Sequence, residues 1–520
     1  MKVGGEWTWV LLVSAGIVCL ASVPYVFGYA IAPSGYSFLG LTHNADDALV
    51  YLSWMRQSVD GSFFLRNLFT TEPQAARNFN LLFYALGRFA GLTHLSLVAV
   101  FHIARAVLGL GLLLLIYAFS GSWTADLTAR RLALLVAGLS SGLGWLVPAG
   151  EGINRPVDLW QPEAITFLSI YLSPLFAFSL ILILGGLWLL YLHAVSGRLR
   201  FAIGSGVLLL ILGNVHSYDL VVVAIAWAAF ALSSLTKPPR SARPIVGGLI
   251  AGLIASPSVA YQAYLYAREP VFRLRADVPT LSPASWFYLV GLGLLVPLTV
   301  AGIRRLRTEG GDFRLLVSWA LAAIISSYLP VAFQRKLIMG IHIPLSILGG
   351  IGLATVVRWP KKRWFGVLTA GWVAVLALSN LSFLGRDMHR IAIDEAHTTA
   401  HPPFIAADEL AALDWLRGHS NPGEVVLAEP WTASLIPAWT GLPVYCGHWG
   451  ETARFGEKLR ETLAFFEGSR DLDVDDQFIK RHRIAFIMDC HRIPSLDDRL
   501  ALLGFVAAFR SDAVTVYRAR

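Results

Sequence analysis

The sequence predicts a polytopic α-helical membrane protein, with about eleven transmembrane helices over residues 1–384, followed by an extracytoplasmic α/β domain over residues 385–520. Three observations predict it. Of 520 residues, 56% are hydrophobic and 15% charged, and the mean hydropathy is +0.60, a balance too apolar for a soluble chain of this length. Apolar runs long enough to cross a hydrocarbon core of about 30 Å recur as far as residue 384 and then stop. Beyond that point, helical and strand patterns alternate in a soluble composition. Charge divides at the same place: residues 1–384 hold 27 Lys+Arg against 14 Asp+Glu, and residues 385–520 hold 15 against 20. The basic balance belongs to the membrane part, so nucleic acid is not the partner it implies.

The apolar runs fall near residues 8–30, 95–119, 129–148, 165–194, 202–215, 217–235, 245–263, 285–303, 313–332, 337–357 and 364–384. The first is longer than a secretory h-region and lacks a convincing small-residue cleavage site, so it reads as a retained helix. The positive-inside rule orients the set. With the N-terminus inside, every inner loop is basic: Arg130 and Arg131; Arg198 and Arg200; Lys237, Arg240 and Arg243; Arg304, Arg305 and Arg307; Arg358, Lys361, Lys362 and Arg363. Ten of the 14 acids before residue 385 then fall outside, and an odd helix count puts the C-terminal domain outside too.

That domain reads as a small α/β unit. ELAALDWLRGH is helical, EVVLAEP and LPVYCG are strands, TARFGEKLRETLAFF is an amphipathic helix, IAFIMDC a strand, SLDDRLALLG a helix, and FVAAFRSDAVTVYRA a closing hairpin. Cys446 and Cys490 can pair or stay as separate thiols, and with Cys19 they are too few and too scattered for a zinc site. No dinucleotide fingerprint, Walker motif, H-E-x-x-H or G-x-S-x-G occurs, which removes support for ATP-driven pumps, metalloproteases and serine hydrolases.

Polar constellations concentrate on the outer side. The first outer loop, residues 32–94, contains two amphipathic stretches, DALVYLSWMRQSV and FNLLFYALGRFAGL, sized to lie on the membrane surface. Asn44 is placed to cap the first, setting Asp46 and Asp47 in its opening turn, with His43 just before. Helix capping explains one acid; a second at the membrane boundary points to a polar site. Asp158 and Glu163 flank Trp160 in a second outer segment, and His216 and Asp219 sit in a hairpin, NVHSYDL. FQRKLIMGIHIP places Arg335 and Lys336 outside, against the positive-inside trend, and REPVFRLRAD adds Arg268, Arg273 and Arg275. Five outer cations favour an anionic ligand such as a phosphate. His448 and Glu451, in GHWGET after a strand, complete the candidates for substrate contact. Arg105, inside a membrane run, must face protein or a cavity.

Taken together, one helix, a long acidic first outer loop with two surface helices, many further helices and an outer α/β domain resemble the GT-C fold glycosyltransferases. DDALVYLSWMRQSVDGSFF followed by LFTTEP is similar to the first-loop signature of bacterial members, and QRKLIMGIHIP to the late segment that approaches the lipid phosphate; many relatives have an Arg-Tyr pair where this chain has Arg335-Lys336. The resemblance implies a bacterial inner-membrane enzyme that moves a sugar from a polyprenyl-phosphate donor to a glycan, lipid or protein acceptor. Asp46 or Asp47 would then be the base, with position alone favouring Asp46, and Arg335 and Lys336 would stabilise the departing phosphate. Some relatives use a divalent metal and others do not; oxygen ligands from Asp46, Asp47 and Asp158 or Glu163 would suit Mg²⁺ or Mn²⁺. A transporter or flippase of lipid-linked or anionic glycans would share the helix count, but no internal repeat is evident. A polysaccharide polymerase or ligase would share the outer arginines, and the early acidic pair argues against it.

Overall fold

A computed structural model describes residues 3–148, 150, 152–236, 240–358, 364–395, 401–491, 493 and 496–520. Lys237, Lys361, Lys362, Arg363 and Glu151 of the loops discussed above lie outside the described residues. Six helices are long and apolar enough to cross a membrane: Leu97–Ser120, Pro174–Ser196, Asp219–Thr236, Arg243–Arg268, Gln334–Arg358 and Phe365–Ala392. Two bent pairs, Gly4–Leu20 with Val23–Ile31 and Ser285–Leu292 with Leu295–Thr308, raise the number to eight.

The remaining three runs of the expected eleven form shorter helices, Leu127–Leu139, Leu199–Val215 and Arg314–Ser326, of 13, 17 and 13 residues; a full crossing takes roughly 17–25, which only the second reaches. The run at 129–148 shows how an apolar run and the helix within it can differ in length. Its helix stops at Leu139 because the next backbone groups bond elsewhere: the Ser141 amide donates to the Leu376 carbonyl, and the Gly142 and Gly144 amides donate to the Asp158 carboxylate. An apolar run thus becomes a helix and then a loop, buried over Ser140–Gly142 and exposed at Trp145 and Leu146.

The described chain forms two compact units. The first comprises residues up to Val23, His102–Tyr264 and Pro279–Arg386; the second comprises Pro24–Phe101, Leu265–Val278 and Asp387–Arg520. At the heart of the first unit the span Gln334–Arg358 is buried throughout its apolar window. Helix Leu295–Thr308 packs on it backbone to backbone: a Cβ at Gly302 would lie 1.9 Å from the Leu348 carbonyl oxygen, and one at Gly352 2.0 Å from that of Leu298. Such close approach lets helices associate where no water drives them together. Three arginines assigned above to inner loops meet acids in this unit: Asp126 accepts from Arg305 at 3.0 Å and Arg358 at 2.8 Å, and Glu6 from Arg131 at 3.1 Å. Arg105, 2% exposed, donates to the Ser22 hydroxyl and to the Ala21 and Ile170 carbonyls, which answers its desolvation with hydrogen bonds.

In the second unit the two predicted surface helices are Ala45–Val59 and Leu81–Thr93. They touch at Gly87, where a Cβ would meet the Met55 carbonyl oxygen at 2.5 Å, and through stacked Tyr51 and Phe83 rings 4.6 Å apart. Strand β1 (Tyr36–Phe38) pairs antiparallel with β2 (Phe404–Ala406), so the first loop and the C-terminal residues share a ladder that sequence patterning did not reveal. A four-stranded sheet follows, formed by β3 (Val425–Ala428), β4 (Ile484–Asp489), β5 (Phe505–Arg510) and β6 (Thr515–Ala519) in the order β3-β4-β6-β5. β3 and β4 are parallel, and β5 and β6 make the expected hairpin. LPVYCG, expected as a strand, contributes a single bridge from Val444 to Val426. Cys446 and Cys490 are separate thiols.

Helix Leu472–His482, absent from the sequence reading, is anchored by Asp475. This fully buried carboxylate forms ion pairs with Arg499 and, at 2.9 Å, with Arg470. Removing one partner of such a group leaves buried charge uncompensated, at a cost of about 3 kcal/mol or more. Asp475→Ala is therefore expected to weaken amide-exchange protection of Leu472–His482 roughly 100-fold; unchanged protection would refute the assignment.

Candidate functional site

The predicted site residues fall into two constellations, one in each unit. In the second unit Asn44 occupies the position before helix Ala45–Val59 in a left-handed conformation (φ 58°) and makes no capping bond through its side chain. Its Nδ2 instead donates to Asp47 Oδ2 at 2.6 Å. This corrects the expected cap: Asn44 orients an acid rather than the helix amides. The two acids differ sharply, since Asp46 is 3% exposed whereas the Asp47 side chain is 44% exposed. His43 is half-buried just before them.

GHWGET brings His448 to this pair. The loop is tied to LFTTEP: the Thr452 hydroxyl donates to the Phe69 carbonyl at 2.7 Å and accepts from the Gly447 and His448 amides. His448 is 4% exposed, and its Nδ1 accepts from the Gly450 and Glu451 amides at 3.0 and 3.1 Å. Two donors on Nδ1 assign the ring proton to Nε2. That Nε2 is buried without a hydrogen-bond partner and lies 4.0 Å from Asp47 Oδ1, too far for a direct bond and suited to a group held between them.

Glu451 pairs with Arg275 at 2.7 Å, while Asn67 Nδ2 donates to the Glu451 carbonyl and carboxylate at 2.8 and 3.1 Å. Arg275 also lies over the Trp54 ring at 5.2 Å, on the helix that begins with the acids. Arg273 donates to the Tyr266 and Ala267 carbonyls at the end of helix Arg243–Arg268, and Arg268 is exposed. Lys458 holds LFTTEP from the other side, donating to Thr70 at 3.2 Å and Glu72 at 2.8 Å. Burial, offset by Glu72, holds the Lys458 pKa below its usual value. Asn67, Trp54 and Lys458 were missed in the sequence; the only signal was the polar character of LFTTEP itself.

Three sequence-distant motifs meet in the first unit. Arg335 lies 5.0 Å from the Trp160 ring, its amide donates to the Thr280 carbonyl, and its own carbonyl accepts from Gln161. The Glu163 carbonyl accepts from the Gly340 amide. Lys336 Nζ donates to the Tyr218 hydroxyl at 3.3 Å and lies 4.9 Å from that ring. Beside Tyr218, His216 Nδ1 and Asp219 Oδ2 are 2.7 Å apart. Burial alone would depress the His216 pKa, but the Asp219 carboxylate prevails and raises it to about 9. Asp158 is fully buried with Oδ2 between the Gly142 and Gly144 amides, and burial lifts its pKa to about 6 against those bonds. It shapes a loop.

Among the described residues no three His, Cys, Asp or Glu side chains are grouped to hold a metal ion.

ArnT from Cupriavidus metallidurans aligns with 99% of this chain and 98% of its own at 13% identity and a TM-score of 0.58. The chain has the GT-C glycosyltransferase fold. The chain is also similar to the oligosaccharyltransferase AglB from Archaeoglobus fulgidus, solved with an inhibitory peptide and a dolichol-phosphate, over 94% of its length and 70% of AglB's, with 11% identity and a TM-score of 0.50. The mycobacterial arabinofuranosyltransferase AftD aligns over 97% of the chain but only 40% of its own length, at 14% identity and a TM-score of 0.50. No protein-family model matches the sequence, and no curated protein does.

Proposed function

We propose that the protein is an integral-membrane glycosyltransferase that moves a sugar from a polyprenyl-phosphate donor to an extracytoplasmic acceptor in one inverting displacement. The observation that carries this reading is the pairing of Asp47 with the buried Nε2 of His448 at 4.0 Å, within a GT-C fold. An acceptor hydroxyl held by both would give its proton to the carboxylate as it attacks the anomeric carbon. Exposure favours Asp47 over Asp46 as the base, since the acceptor must reach it. Arg335 and Lys336 would carry the departing phosphate charge. Each is already oriented by an aromatic ring, Trp160 and Tyr218. Glu451, held by Arg275 and Asn67, would fix the loop that carries His448. A bacterial inner-membrane setting with the C-terminal residues outside belongs to the same proposal and would give access to such donors.

The test is donor turnover. Purified protein incubated with a panel of polyprenyl-phosphate sugars and acceptors is expected to release polyprenyl phosphate. Uptake of lipid-linked glycan into sealed vesicles without cleavage would instead establish a transporter.

A further inference from the structure

The second unit contains a groove of about 800 Å³ on a different face of helix Ala45–Val59 from Asp47. Leu52, Arg56 and Val59, spaced one helical turn apart, form one wall. Phe38 and Ile405 of the β1–β2 ladder, Gly91 of the second surface helix, and Leu97 in the first turn of the membrane-span helix Leu97–Ser120 supply apolar surface. The volume falls within the ~300–1,000 Å³ typical of ligand sites.

Two guanidiniums face this apolar space, Arg56 and Arg417. The Arg56 side chain is 11% exposed, and its Nε is buried without a hydrogen-bond partner. Burial, and then the Arg417 charge, hold the Arg56 pKa below its usual value, and Asp60, 3.8 Å away, only partly offsets them. A buried donor and two like charges in one cleft are costly unless an anion joins them. Arg56, Arg417 and Asp60 together carry a net charge of about +1, which complements a phosphodiester rather than the roughly −1.5 to −2 of a phosphomonoester.

From this juxtaposition we infer that the groove binds an anionic phospholipid, with its phosphodiester between Arg56 and Arg417 and an acyl chain along Phe38, Leu52 and Leu97. Its residues are distinct from the proposed donor contacts, and binding there needs no turnover to be observed.

The experiment titrates the purified full-length chain with fluorescent phosphatidylglycerol. Unlabelled phosphatidylglycerol, phosphatidylcholine, farnesyl phosphate and inorganic phosphate serve as competitors. Phosphatidylglycerol is expected to bind saturably and to compete at least 10-fold better than phosphatidylcholine, and Arg56→Gln/Arg417→Gln is expected to weaken it by at least 10-fold. Gly91→Phe provides a second variant that leaves both arginines in place: its Cβ would make only ordinary contact, 3.8 Å from Val59, while its ring fills the groove. It is expected to lose binding as well. Equal competition by phosphatidylcholine, or parent-like binding by both variants, would overturn the inference. Stronger competition by farnesyl phosphate would overturn the phosphodiester assignment, and equal competition by inorganic phosphate would overturn the amphiphile.

Discussion

Replacing Asp47 by Asn is expected to lower turnover of the proposed polyprenyl-phosphate donor by roughly 10²–10⁴-fold, the contribution of a positioned general base, and to leave donor affinity nearly unchanged. The substitution retains size and the contact with Asn44, which already reaches the carboxylate at 2.6 Å, so the loss reports proton transfer rather than folding. Asp46→Asn has a smaller effect on this reading, because the Asp46 carboxylate is 3% exposed and does not meet solvent-borne acceptor. His448→Leu falls between them: it removes the Nε2 proton that faces Asp47 and leaves an apolar side chain of smaller but similar bulk. Release of polyprenyl phosphate by the three variants measures all of this. Parent-like release by Asp47→Asn would remove it as the base, and a larger loss in Asp46→Asn would transfer the role.

Arg335→Gln is expected to lower the same turnover by roughly 10²–10³-fold, mainly in kcat, because a cation aimed at a leaving phosphate acts most strongly as charge develops. Its guanidinium is held over Trp160 at 5.0 Å, and its Nε is buried without a partner. Arg335→Lys should recover only part of the rate, since an ammonium keeps the charge and loses the planar fork. Lys336→Gln should cost less, because that ammonium already donates to the Tyr218 hydroxyl. If Arg335→Gln turned over donor like the parent, the phosphate would have to be held elsewhere.

Some of this site was legible in the sequence and some was not, for physical reasons. Asp46 and Asp47 stood out because acids at a membrane boundary are costly, and Arg335-Lys336 because it ran against the positive-inside trend. The convergence of Trp160, Arg335, Tyr218 and Lys336 was not legible, because it joins residues more than a hundred positions apart. Lys458 gave no signal either. A lysine on an amphipathic helix reads as solvated until the fold buries it against Thr70 and Glu72. Asn44 shows the opposite failure: a residue with strong capping preference was drawn to a neighbouring carboxylate instead.

By itself, the sequence determined the helical, membrane-spanning character, the stretches that carry clustered acids and cations, and most elements of the α/β part, since hydrophobic period and local charge act over a few residues. Only the tertiary structure decided how many apolar runs are full-length helices, which side of Ala45–Val59 meets His448 and which lines a separate groove. Those outcomes depend on backbone groups finding partners far away in sequence, as the Gly142 and Gly144 amides do at Asp158, and no local pattern encodes such a partner.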